Sequence, residues 1–199
     1  MASNALTDEQ QQRAREVVWP WLATLLRTAQ YLTRHEQEAE DLVQETVLKA
    51  MRAIDQYAEG TDARAWLLTI LRRTRIDRIR HDGRRPHLLS LDGEQATEPA
   101  AEDEQPVGQF DPQWDEPEAM MEAFSDEQVI LALKDLPEEI RWTLLLVEVE
   151  QMDHADASGV LEVPVGTIKS RAHRGRRMLR DRLHELGHAA TRAQEGWSP

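Results

Sequence analysis

The 199-residue chain has no cysteine, which argues against a disulfide-stabilised secreted fold and removes any thiol nucleophile. It has no apolar run approaching the roughly 20 residues of a membrane span. Its first residues lack a basic segment followed by an apolar one, so the expectation is a cytoplasmic protein without a leader peptide or membrane anchor. A glycine-rich phosphate loop, strand-like alternation and internal repeats are also missing, which leaves helical periodicity as the organising pattern. The apolar content of 40% suits modest cores in two small domains better than one large core.

Charge is abundant but unevenly placed. The net charge is −13, and the segment from Pro86 to Glu122 holds eleven acids and no Lys or Arg. With Pro86, Pro99, Pro106, Pro112 and Pro117 inside it, this segment reads as an extended acidic linker. A solubilising tether is the plain interpretation of such a composition. The rest of the chain is nearly neutral and carries two basic patches.

The first patch lies between Lys169 and Arg182, with seven Lys or Arg against one acid, Asp181. At about 100° per residue, Val165, Ile168, Ala172, Leu179, Leu183 and Leu186 form one stripe, and Lys169, Ser170, His173, Arg174, Arg176, Arg177 and Arg180 face away from it. Pro164 suits a first helical turn, and the free backbone amides of that turn favour a phosphate. Upstream, Pro137 to Val149 reads as an apolar helix, and Asp153 as the cap of another helix ending at Leu161. Two helices joined by a tight turn, the second bearing the polar reading face, form a helix-turn-helix.

The second patch spans Asp62 to Arg85, with eight Arg against three Asp. Its first turns are apolar (Trp66, Leu67, Ile70, Leu71), whereas Arg72, Arg73, Arg75, Arg78 and Arg80 are distributed around the helix, an arrangement suited to phosphates on two strands. Trp66, beside the apolar stripe, reads as a core anchor, with base stacking as the alternative. Before this patch, Ala39, Leu42, Val43, Thr46, Val47, Ala50 and Ile54 make a core stripe, leaving Asp41, Gln44, Glu45, Leu48 and Arg52 on the opposite face. An exposed Leu in a polar stripe suggests docking. Thr33-Arg34-His35-Glu36 and Ser125-Asp126-Glu127-Gln128 fit the capping-box pattern and place helix starts before Glu36 and Gln128.

These blocks together resemble the extracytoplasmic-function sigma factors of bacterial RNA polymerase. Ala39 to Ala50 is similar to the polymerase-binding helix of that family. Ala65-Trp66-Leu67-Leu68-Thr69-Ile70-Leu71-Arg72-Arg73 with Ile76-Asp77-Arg78-Ile79-Arg80 resembles its promoter-melting helix. Leu136-Pro137-Glu138-Glu139 and Val163-Pro164-Val165-Gly166-Thr167-Ile168-Lys169-Ser170-Arg171 resemble its second conserved domain. Order and spacing of the blocks also match, which is more specific than any single motif. The resemblance implies an all-α protein of two small helical domains, region 2 over residues 10–86 and region 4 over residues 123–186. The acidic linker (87–122) joins them, and a tail (187–199) follows.

It further implies that Asp41, Gln44, Glu45, Leu48 and Arg52 grip the clamp helices of the largest polymerase subunit, while region 4 meets the flap. The −10 element would meet Trp66, Arg72, Arg73, Arg75, Arg78 and Arg80. A flipped base would be captured by the loop Asp55 to Asp62, with Gln56 and Tyr57 as alternative contacts. The −35 element would meet Thr167, Lys169, Ser170, Arg171, His173, Arg174, Arg176 and Arg177. Promoter DNA, core polymerase and an anti-sigma factor are the implied partners. The linker would thread the polymerase's basic channel, with Phe110 and Trp114 as anchors there or, alternatively, packed on the second domain.

The chain departs from the family pattern at Ala157 and Ser158, where larger apolar residues are usual, at Gly159 in place of a helix former, and at Glu162 in place of the turn glycine. Each change is expected to loosen the helix-turn-helix, which motivates a rival interpretation as a sigma mimic that sequesters an anti-sigma factor. His184-Glu185-Leu186-Gly187-His188 also fits the H-E-x-x-H pattern of zinc peptidases. A catalytic zinc needs a third protein ligand, and Glu195 is the only nearby downstream acid. Gly187 also weakens the helix. The expectation is therefore no enzyme activity, no cofactor and no metal.

Overall fold

The computed structural model describes residues 7–81 and 126–195. The expected linker, with Phe110 and Trp114, and the second capping-box residue Ser125 lie outside the described residues. All the described regular structure is helical. Helix α1 (Asp8–Val18) opens on a capping box that the sequence reading missed: the Thr7 hydroxyl accepts from the Gln10 amide, and the Gln10 side chain accepts from the Thr7 amide. A 3-10 turn, Trp19–Trp21, follows, with Pro20 where a missing N–H is harmless. Then come α2 (Leu22–Leu32), α3 (Glu36–Arg52) and, after a 3-10 turn at Ile54–Gln56, α4 (Ala63–His81).

Helix α3 is the centre of this half, touched by α1, α2 and α4. Its predicted core stripe is buried at Ala39, Leu42, Val43, Thr46 and Ala50, facing Leu25, Leu32, Leu67, Leu68 and Leu71. Each of those leucines is almost fully enclosed, a burial that stabilises by about 1.5–3 kcal/mol per side chain. Thr33 does not cap α3. Its hydroxyl donates back to the carbonyl of Ala29 and to that of His35, closing α2, and His35 occupies the N-cap of α3 without a side-chain bond. The helix starts where predicted, but the buried Thr33 serves the preceding helix.

The second half comprises α5 (Asp126–Lys134), α6 (Glu138–Leu144), α7 (His154–Leu161) and α8 (Val165–Glu195). The single helix expected over 137–149 is instead α6 continuing into a π-helical turn, Leu145–Val149, which lets Leu144, Leu145 and Leu146 all reach the core. Helix α8 starts one residue after Pro164 and runs past the expected domain end at 186 to Glu195. It packs on α5, α6 and α7. Gly175 makes the closest approach: a Cβ there would lie 2.8 Å from the Ile140 Cγ2 and 3.0 Å from the Leu144 Cγ.

The halves also meet. Helix α4 lies against α7, and α2 against α5 and α6, so one apolar cluster runs from Val18 through Leu71 to Ile168 and Leu183.

Candidate nucleic-acid interface

Asp153 caps α7 as expected, its carboxylate accepting from the amides of Ala155 and Asp156 at 2.8 Å. At the other end Glu162 takes the left-handed conformation, φ 55° and ψ 40°, and the chain turns into α8. The Ser158 hydroxyl donates to the Val163 carbonyl at 2.6 Å, bracing the turn from the position where the family pattern has an apolar residue. A methyl group added at Gly159 would meet nothing within 4 Å, so the small size of this residue serves no packing need.

This bend presents the start of α8 to solvent. Lys169, Ser170, His173, Arg174 and Arg177 are exposed. Thr167 and Arg171 are half-buried, and Arg176 is drawn back to Glu148 at 2.7 Å. Ile168 and Ala172 on the opposite side are completely buried. Five of the eight expected −35 residues thus share an open cationic face.

The arginines of α4 are differently placed. Arg78 donates to Glu45 at 2.7 Å and to the Asp41 carbonyl at 2.6 Å, tying α4 to α3. Arg75 donates to Glu138 of α6 at 2.9 Å. Arg73 donates to Glu162 at 2.6 Å, and Arg72, buried, lies 3.5 Å from the same carboxylate. Arg80 is exposed. The sequence predicted cations around the whole helix. It did not predict that acids of the other half reach three of them.

Burial lowers the Arg72 pKa, and Glu162 works against that shift. The hydrogen bond from Arg73 holds the Glu162 carboxyl below its ordinary value. Burial pushes Glu45 up, but hydrogen bonds from Arg78 and Lys49 outweigh it and keep the group below the usual carboxylate range.

In the loop before α4, Gln56 is exposed, whereas Tyr57 is 8% exposed and its hydroxyl donates to the Thr61 carbonyl at 2.6 Å. The Tyr57 ring packs on Trp66 with centroids 5.2 Å apart, and Trp66 itself is half-buried against the core. The stripe of α3 expected to dock is exposed at Asp41, Gln44, Leu48 and Arg52, with Leu48 54% exposed. Glu45 is engaged by Lys49 and Arg78.

One residue escaped the sequence reading, and so did the partners of a second. Glu150 is buried, accepts from Arg27 at 2.8 Å, and its carbonyl accepts from Arg64 at 2.7 Å. Nothing in the local pattern marks it. Glu162 was legible as an oddity, an acid in a turn suited to glycine, but its partners 89 and 90 residues upstream were not. No group of three or more His, Asp or Glu among the described residues is placed to hold a metal, and no described helix is long and apolar enough to cross a membrane.

Comparison with known proteins gives two family matches: Sigma-70 region 2 over residues 20–85 and Sigma-70, region 4 over residues 126–179. The chain is 32% identical over 169 residues to an ECF RNA polymerase sigma factor SigE of Mycolicibacterium smegmatis, an alignment covering 84% of this chain and 60% of that one. It is 33% identical to an ECF RNA polymerase sigma factor EcfG of Rhodopseudomonas palustris, covering 78% of this chain and 77% of the relative. Among solved structures, the sigma factor RpoE of Bartonella quintana, in complex with the anti-sigma factor NepR, superposes with a TM-score of 0.61 at 29% identity, covering 89% of this chain and 98% of that one.

Proposed function

From the premise that this chain belongs to the extracytoplasmic-function group of the sigma-70 family of RNA polymerase sigma factors, we propose the following division of labour among its surfaces during promoter-directed initiation. The family is one of non-enzymatic initiation factors, so the H-E-x-x-H pattern is part of helix α8 and has no catalytic role. The exposed stripe of α3, with Asp41, Gln44, Leu48 and Arg52 around an apolar contact, docks on the clamp helices of the largest polymerase subunit, and region 4 docks on the flap. Glu45 orients that stripe through Lys49 and Arg78. The start of α8 reads the −35 element: Lys169, His173 and Arg174 face the major groove, where cationic forks pair with guanine edges, while Thr167, Ser170, Arg171, Arg176 and Arg177 hold the backbone.

At the −10 element, Gln56 is the better base contact, because Tyr57 is committed to its own loop. Arg72, Arg73, Arg75, Arg78 and Arg80 supply phosphate contacts once freed from their acidic partners. The protein works in the cytoplasm and is held in reserve by an anti-sigma factor, as its Bartonella structural neighbour is seen bound to one.

The observation that carries this reading is the exposed cationic start of α8 behind a correctly capped and braced turn. Run-off transcription with purified bacterial core polymerase over a promoter pool tests it. Specific transcripts that need the protein and vanish on charge reversal of Asp41 are expected. Transcripts insensitive to Asp41 would remove α3 from the docking surface.

A further inference from the structure

The backbone of Glu162 suits glycine: at φ 55° a side chain is disfavoured by about 1 kcal/mol. A carboxylate that persists there should have a local use, and the structure supplies one. Glu162 stands at the seam of the two halves, 2.6 Å from the Arg73 guanidinium and 3.5 Å from that of Arg72. The positive charge of Arg171, at the start of α8, acts on Arg72 from the other side of the seam. The Arg72 Nη1 is buried and has no good hydrogen bond, so among the described residues the only anion reaching it is this one. Two arginines of the melting helix therefore converge on one acid in the turn between α7 and α8, with the charge of Arg171 on the reading helix bearing on Arg72. A nucleic-acid phosphate would fit the same charges.

We propose that Glu162 is an internal stand-in for a DNA phosphate, a latch that holds region 4 closed on region 2 and withholds Arg72 and Arg73 from the promoter strand until phosphates displace it. The inhibitory part rests on the DNA role given to those arginines above. The pairs are partly exposed, with the Glu162 side chain 47% accessible, so the latch is weak and easily competed. Glu138 on Arg75 and Glu150 on Arg27 add to the closure from the same side. Glu138 opens α6, and Glu150 closes its π-helical continuation.

The absence of cysteine permits a clean test. In the full-length chain, Glu40→Cys and Asp181→Cys, both exposed positions, carry a donor–acceptor dye pair. Energy transfer is followed alongside anisotropy binding of a short fluorescein-labelled single strand. Glu162→Gln removes the charge and keeps the strained backbone. Glu162→Gly removes both, and relieving the strain protects the fold.

Both variants should lose energy transfer and bind the single strand at least about threefold more tightly at low salt. The swap Arg73→Glu with Glu162→Arg should recover closure without recovering DNA affinity. Unchanged energy transfer in both variants overturns the latch. A change in Glu162→Gly alone also overturns it, since backbone strain and not charge would then be responsible. Lost energy transfer with unaltered affinity overturns the DNA role of Arg72 and Arg73, and with it the inhibition, while leaving the closure standing.

Discussion

Two glycines in region 4 show how one residue type carries opposite meanings. Gly159 sits in a helix with open space around it, so Gly159→Ala should raise stability by about 0.5–1 kcal/mol through lost backbone freedom in the unfolded chain. Gly175 lies against Ile140 and Leu144 at contact distances no methyl tolerates, and Gly175→Ala should cost about 1–3 kcal/mol. Urea titration of both variants would check the contrast, with midpoints moving in opposite directions. Arg174 is an exposed residue of the reading face. Arg174→Ala should cost roughly 1–3 kcal/mol on the cognate −35 site, measured against an unrelated duplex, and equal losses on both would make it a phosphate contact.

Glu162 brings a pH dependence whose sign follows from its surroundings. Its folded carboxyl titrates below the ordinary value because Arg73 and Arg72 favour the charged form. The closure it supports is therefore complete above the ordinary carboxylate range and lost as pH falls through the lower folded value. Energy transfer in the wild-type chain should be flat near neutrality and fall in acid, and Glu162→Gln should lack the component attributable to this group.

At the scale of the helices, positions were legible and partners were not. The core stripe of α3 followed from a 3.6-residue period, as did the apolar stripe of α8 except at Val165, which the first turn leaves exposed, and Asp153 followed from a side chain able to reach two free amides. The capping box at Thr7 was as visible as the one assigned to Thr33, but the latter failed because burial turned the hydroxyl back onto α2. The π turn at Leu145–Val149 escaped because a run of apolar residues has no period to distort. On α3, the resemblance named the docking stripe, and the structure divides it. Asp41 and Leu48 are open, whereas Glu45 is also the anchor of Arg78. Asp41→Arg with Leu48→Ala should therefore weaken core polymerase binding about tenfold or more with little change in melting temperature. Glu45→Lys should lower both, a difference that binding assays run beside thermal melts would show.

At the scale of the molecule, the two halves share one apolar cluster as well as five arginine contacts to Glu138, Glu150 and Glu162. Partly exposed ion pairs lose strength with added salt, whereas the apolar contact does not depend on charge. Calorimetry should give a single cooperative transition at low salt and a broader or divided one at high salt as the halves uncouple. A transition indifferent to salt would mean that the apolar contact alone joins them. None of this was legible in the sequence, because the acids and the arginines they meet are separated by more than 60 residues, and a helical pattern says nothing about which distant face it will meet.

Helix α8 has 31 residues, a rod of about 46 Å at 1.5 Å per residue. Gly175 presses it onto α6 about a third of the way along, and Ile168 and Leu183 seat it on either side, so the rod is held at three points within region 4. Any tilt at the reading end must reappear, reversed in direction, at the far end beyond Leu186. A label at the exposed Glu185, toward that end of the rod, would report how region 4 is oriented on a promoter from about 24 Å along the helix from Lys169.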